Sequence, residues 1–183
     1  MGGFPHAVVA YLPGELSGFI DALRRRLNPE FASWTAHVTI LPPRLLHGSP
    51  EEALSIIRQK SSLVEPFEVG LESVSTFWPV TGVVYLSFGK GVERLVQLHD
   101  TLNCGSVAQQ EIYAYVPHVT VSQGLDETRT QNMLAEISAE WRRFAGDLTF
   151  RIESLRLVEQ TSANCWVDLA PIPLGTLLAP IRK

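Results

Sequence analysis

The chain is poor in cysteine, in charge and in long apolar runs. It has two cysteines, Cys104 and Cys165, in 183 residues. They form no CxxC pair and stand at no metal-ligand spacing from the five histidines, so nothing points to a metal centre. Two cysteines allow at most one disulfide, and reduced thiols of a cytoplasmic protein are the plainer reading. Charged residues make up 19% against 45% hydrophobic, which is the balance of a folded chain and not of a disordered one. Positive charge is not in excess: the net charge is -4 and the pI about 5.7. That argues against a broad basic surface for long nucleic acid but leaves room for a small anionic ligand in a local pocket. No stretch approaches the ~20 apolar residues that span a bilayer. The start, MGGFPHAVVAYLPGEL, lacks the basic region of a signal peptide. A cytoplasmic protein of one two-lobed domain over residues 1–183 is expected, without membrane attachment and acting as a monomer.

What the chain does contain is a regular succession of short elements. HAVVAYL at 6–12 reads as a strand, broken by Pro13-Gly14. Leu16, Phe19, Ile20, Leu23 and Leu27 form a helical stripe that Asn28-Pro29 stops. A strand is predicted at about 35–41, ended by Pro42-Pro43. Ser49-Pro50-Glu51-Glu52 starts a helix to about Leu63, with Ser49 as N-cap. Phe67–Phe77 and Val83–Phe88 read as a hairpin or meander, Gly91–Leu102 as a helix, about 112–122 as a strand and Asp126–Phe144 as a long helix. Phe150–Val158 and Cys165–Leu169 close the chain as strands.

The order repeats. AHVTIL at 36–41 returns as PHVTVS at 117–122, with His118 following His37 by 81 residues. FEVGLESVSTF begins 30 residues after His37, and FRIESLRLVEQ 32 after His118. Each half therefore reads helix, motif strand, helix, strand, strand, with approximate halves 1–82 and 83–183. We expect an α+β fold of two related lobes. Each lobe would be an antiparallel-rich sheet with two helices, related by a pseudo-twofold around a central cleft.

Side chains two apart on a strand share a face. His37 and Thr39 thus lie opposite Val38 and Ile40, and His118 and Thr120 opposite Val119 and Val121. Burying unpartnered imidazoles and hydroxyls is costly, so a polar face used twice implies water or ligand. If the two strands face one cleft, two imidazoles can act as acid and base near neutral pH without a metal, while threonine hydroxyls bind phosphoryl oxygens.

Two HxT motifs some eighty residues apart in a chain of this length resemble the two-histidine phosphoesterase superfamily, the 2′-5′ RNA ligase-like and cyclic phosphodiesterase proteins. The resemblance implies His37 and His118 as acid–base residues and Thr39 and Thr120 as phosphate-binding residues. It implies metal-independent action, with no cofactor, on 2′,3′-cyclic phosphates or 2′-5′ linkages of RNA ends or small nucleotides. A non-catalytic module that holds a nucleotide or RNA end in the same cleft is the alternative. Many relatives carry an arginine soon after one motif threonine; here HVTVSQG has Gln123, and HVTILPPR reaches only Arg44, the candidate for that charge.

Other candidates are weaker. Trp34 and Tyr115 each stand three residues before a motif histidine, where they could stack on a base or simply pack the lobes. Ser122 shares the face of His118 and Thr120. His6, His47 and His99 have no repeat partner. The Arg24-Arg25-Arg26 run reads as a solvated helix face.

Overall fold

Alternation and capping set the elements. The structure, a computed structural model, describes residues 4–162 and 165–175. Its strands are β1 (His6–Tyr11), β2 (His37–Arg44), β3 (Phe67–Thr76), β4 (Val84–Phe88), β5 (His118–Ser122), β6 (Thr149–Ile152), β7 (Ser154–Ser162) and β8 (Cys165–Pro173). The helices are α1 (Gly14–Leu27), α2 (Pro50–Ser61), α3 (Val92–Leu102) and α4 (Glu127–Trp141). Ser49 caps α2 in a reciprocal box: its hydroxyl accepts from the Glu52 amide, and the Glu52 carboxylate accepts from the Ser49 amide. Gly91 turns the chain into α3 at φ 79°, where a Cβ would lie 2.5 Å from the Glu68 carbonyl oxygen.

The strands form two antiparallel four-stranded sheets, ordered β2-β1-β7-β8 and β5-β4-β3-β6. The fold is α+β and two-lobed, as expected. The sheets nevertheless cross the sequence halves. β3, from the first half, pairs with β4, and β7, from the second, pairs with β1. The run 150–158, read from sequence as one strand, is two: β6 pairs with β3 up to Ile152, and from Ser154 the chain joins the other sheet. An unbroken β-rich pattern does not reveal that change of partner, because both pieces alternate alike.

Two other boundaries move. β2 runs through Pro42-Pro43 to Arg44. It is an edge strand bonded only to β1, and a missing amide is tolerated there. The second motif strand begins at His118, not near 112; Pro117 lacks an amide, and Ile112 and Tyr113 lie exposed in an irregular approach.

One continuous core fills the space between sheets and helices, including Leu16, Ile20, Ile40, Leu86, Leu95, Ile137 and Leu155. Within it, Val38, Ile40, Val119 and Val121 are buried, whereas His37, Thr39, His118 and Thr120 keep part of their surface open. Both motif strands are edges of their sheets and approach each other with Cα atoms within 8 Å. Among the described residues no helix is long and apolar enough to cross a membrane. Ser49→Ala is expected to cost about 0.5–2 kcal/mol of unfolding free energy, read by urea denaturation, because it removes one side of the α2 cap.

Candidate active site

The two motif histidines are held in the same way. His37 Nδ1 donates to the Thr35 carbonyl at 2.7 Å, and His118 Nδ1 donates to the Val116 carbonyl at 2.7 Å. A carbonyl can only accept, so each bond fixes the proton on Nδ1 and leaves Nε2 as the lone-pair nitrogen of a neutral ring. Aromatic neighbours hold the rings. His37 lies 4.2 Å from the Trp34 ring centroid and edge-on to Tyr11. His118 stands edge-on to Phe77 at 4.9 Å and to Tyr85 at 5.2 Å.

Thr39 sits where the cleft divides into two hollows. One, of about 360 Å³, is polar and is lined by Arg24, Trp34, His37, Thr120, Ser122 and Gln123. The other, of about 630 Å³, is largely apolar, with Phe77, Ile112, Tyr113, Val116 and His118 around it. The four residues carried by the motifs therefore line one divided cleft.

Burial pushes the His37 imidazole down to about 3, helped by the positive charge of Arg24 and by His118, against the bond it donates to the Thr35 carbonyl. Burial likewise lowers His118, against the bond it donates to the Val116 carbonyl. The His37 ring remains partly open to the cleft, so a bound anion can reach it. Both shifts favour the neutral ring. A phosphate between them would favour protonation.

The remaining candidates separate. Trp34 lines the polar hollow and stacks on Trp166 at 4.6 Å and 7°. Ser122 is buried at its edge, and its hydroxyl has no hydrogen-bond partner among the described residues. Tyr115 lines the apolar hollow, but its hydroxyl donates to the Thr39 carbonyl at 2.7 Å and its ring stacks on His99 at 4.2 Å. His6 is buried beside Glu159, and His47 is an exposed loop residue.

Arg44 is not the cleft's positive charge. Its side chain is 1% exposed and fully engaged. It pairs with Glu111 at 2.6 Å and donates to Asn103, to the Val107 carbonyl and to the Pro42 carbonyl. Arg24, by contrast, lines the polar hollow. Arg25 and Arg26 are exposed as expected, but Arg24 is 5% exposed. Its Nε and Nη2 donate to the Thr120 carbonyl, Nη1 donates to the Trp34 carbonyl at 2.8 Å, and Asp21 stands at 3.6 Å. A signal was present in the sequence: steps of four from Leu16 and Ile20 land on Arg24, within the buried stripe. Trp166 and Phe77, which line the hollows, and Tyr11, which stands edge-on to His37, gave no such signal, because tertiary packing brings them there. Among the described residues no three His, Cys, Asp or Glu side chains gather as a metal-ligand set.

Two edge strands that present paired histidines and threonines to one cleft define a two-histidine α+β architecture. Residues 12–164 match the family model described as the 2′-5′ RNA ligase superfamily, and the chain belongs to that family. It is 26% identical over 159 residues to a protein of Oceanobacillus iheyensis named as a candidate phosphoesterase, covering 85% of this chain and 89% of that one. A Bacillus thuringiensis protein named likewise is 30% identical over 120 residues, 64% of this chain and 68% of that one. Among solved structures, apo Escherichia coli LigT is similar in fold, with a TM-score of 0.66 at 16% identity over 95% of this chain and 99% of that one. LigT complexed with 3′-AMP gives a TM-score of 0.62 at 16% identity, over 94% and 98% of the two chains.

Arg44→Met is expected to destabilise the fold by roughly 1–3 kcal/mol, because it removes the donor that Asn103 and the Val107 and Pro42 carbonyls share and one of the two partners of Glu111, while phosphate affinity of the folded protein is unchanged. Denaturant melts and phosphate titration check it. A second expectation concerns acid. The folded histidines bind protons less readily than the unfolded ones, whose value is near 6.5. Their stabilising effect is therefore complete above that pH and is lost as pH falls below it, for His37 between about 6.5 and about 3. Melting temperatures of wild type and His37→Asn, measured from pH 7 to pH 4, should diverge less as the pH falls.

Proposed function

We propose that this chain is a metal-independent phosphoesterase that opens 2′,3′-cyclic phosphates on RNA ends or small nucleotides. The observation that carries this reading is the matched pair of imidazoles. Each is locked by an Nδ1–H bond to the carbonyl two residues back, and each leaves Nε2 for proton transfer at one cleft. One neutral ring takes a proton from water as its oxygen attacks phosphorus. The other ring, protonated, gives its proton to the ribose oxygen as the P–O bond breaks. One water is added across one bond, and the product is a phosphate monoester. Thr39 and Thr120 would hydrogen-bond the non-bridging oxygens as charge builds there. Reversible joining of 2′-5′ linkages runs the same proton transfers with a ribose hydroxyl in place of water. The LigT structures in complex with 3′-AMP and with NADP+ support a nucleotide-sized ligand.

A non-catalytic module is the second reading, favoured by the large apolar hollow beside His118, which could hold a base without turnover. Incubation with a 2′,3′-cyclic nucleotide in EDTA across pH 5–9 separates the two. We expect nucleoside monophosphate, a bell-shaped rate profile and losses of ~10²–10⁴ in rate for His37→Ala and for His118→Ala. Calorimetric binding without product would favour the module, and activity that requires added metal would contradict the proposal.

A further inference from the structure

The two motif strands differ in what caps them. The backbone carbonyls of the two motif threonines are each capped by a side chain from outside their strand. Thr39 receives the neutral hydroxyl of Tyr115, and Thr120 receives the guanidinium of Arg24. The same guanidinium also holds the carbonyl of Trp34, three residues before His37, so a buried cation joins both motif segments. Arg24 lines the hollow that contains His37; His118 opens on the other hollow, among Phe77, Val116 and Ile112.

We infer that Arg24 is a positioning residue that gives the cleft a direction, so that His37 is the base that deprotonates the attacking oxygen and His118 the acid that protonates the departing one. The inference rests on the phosphoesterase reading. Its physics is that a proton placed on His37 meets a fixed positive charge, whereas a proton placed on His118 meets aromatic rings. The other charged or titratable groups around His37 are Asp21, which pairs with Arg24 at 3.6 Å, His118, and Tyr11, whose hydroxyl donates to Asp168 near Arg156. Of these, Arg24 and His118 act on the His37 imidazole, both against protonation. Around His118 stand the aromatic rings of Phe77 and Tyr85, and Glu111 of the same hollow is paired with Arg44 and His99. In-line attack then places the nucleophile on the polar side and the departing nucleoside oxygen on the apolar side, where Phe77 and Tyr113 can receive its base.

Two measurements test this. In the first, kcat/KM for a 2′,3′-cyclic nucleotide is followed against pH. Arg24→Gln should move the acidic limb upward by about 1 pH unit and leave the alkaline limb in place, and Arg24→Lys should restore the wild-type limb. An unmoved acidic limb in a folded Arg24→Gln protein would overturn the inference. The second measurement keeps Arg24 and so stands even if that variant does not fold. A nucleoside 4-nitrophenyl phosphodiester has a leaving group that needs no proton. The His118→Ala loss should shrink from ~10²–10⁴ to within ~10 of wild type on this substrate, while the His37→Ala loss persists. Rescue of His37→Ala instead, of both variants, or of neither, contradicts the assignment. If wild-type protein turns over no cyclic nucleotide at all, the phosphoesterase reading itself fails. In that case NMR titration of the His37 ring, with and without Arg24, still reads the effect of the buried charge.

Discussion

Everything at the cleft depends on the two-residue period of an edge strand. Burial of Val38 and Ile40 on one face of β2, and of Val119 and Val121 on one face of β5, leaves His37, Thr39, His118 and Thr120 no place but the opposite face. A register slip of one residue would exchange the sets and bury the imidazoles in the apolar core. The hydrophobic cost of that exchange holds the site in place, more firmly than the polar contacts within it. The Nδ1 bonds to Thr35 and Val116 then settle which nitrogen of each ring faces the ligand.

Much of this was legible in the amino-acid order. The alternation inside HVTI and HVTV gave the polar and apolar faces, and the repeated element order gave two related lobes. Ser49-Pro50-Glu51-Glu52 gave a helix start that the structure shows as a complete capping box. These features are local, or repeat at a fixed interval, and a linear reading captures them. Strand pairing is neither. That residues 149–152 belong with β3 while 154–162 belong with β1 depends on which edges are free after the rest has folded, and FRIESLRLV carries no mark of it.

The two arginines show the same limit on a smaller scale. Arg44 stands close to the first motif in sequence, yet beyond two prolines and a shifted register its side chain points into a buried polar knot with Glu111, Asn103 and His99. Arg24 stands in a basic run that looks solvated, yet its position in the helical turn puts it beside Ile20 and under both motif strands. Distance along the chain misled in one case and composition in the other. Helical period would have corrected the second, because a charged residue on a buried stripe must find partners there. Two backbone carbonyls supply them.

The exchange of β3 and β7 between the sheets has a topological consequence. A chain with only one half's elements would hold a third strand whose pairing edge belongs to the other half, and a sheet that lacks its own third strand. Such a half could satisfy both needs only by trading that strand with a second copy, giving a domain-swapped homodimer with its twofold axis through the groove between the copies. Here one chain supplies both strands. Its halves need not be alike, so a guanidinium can cap Thr120 where a phenol caps Thr39.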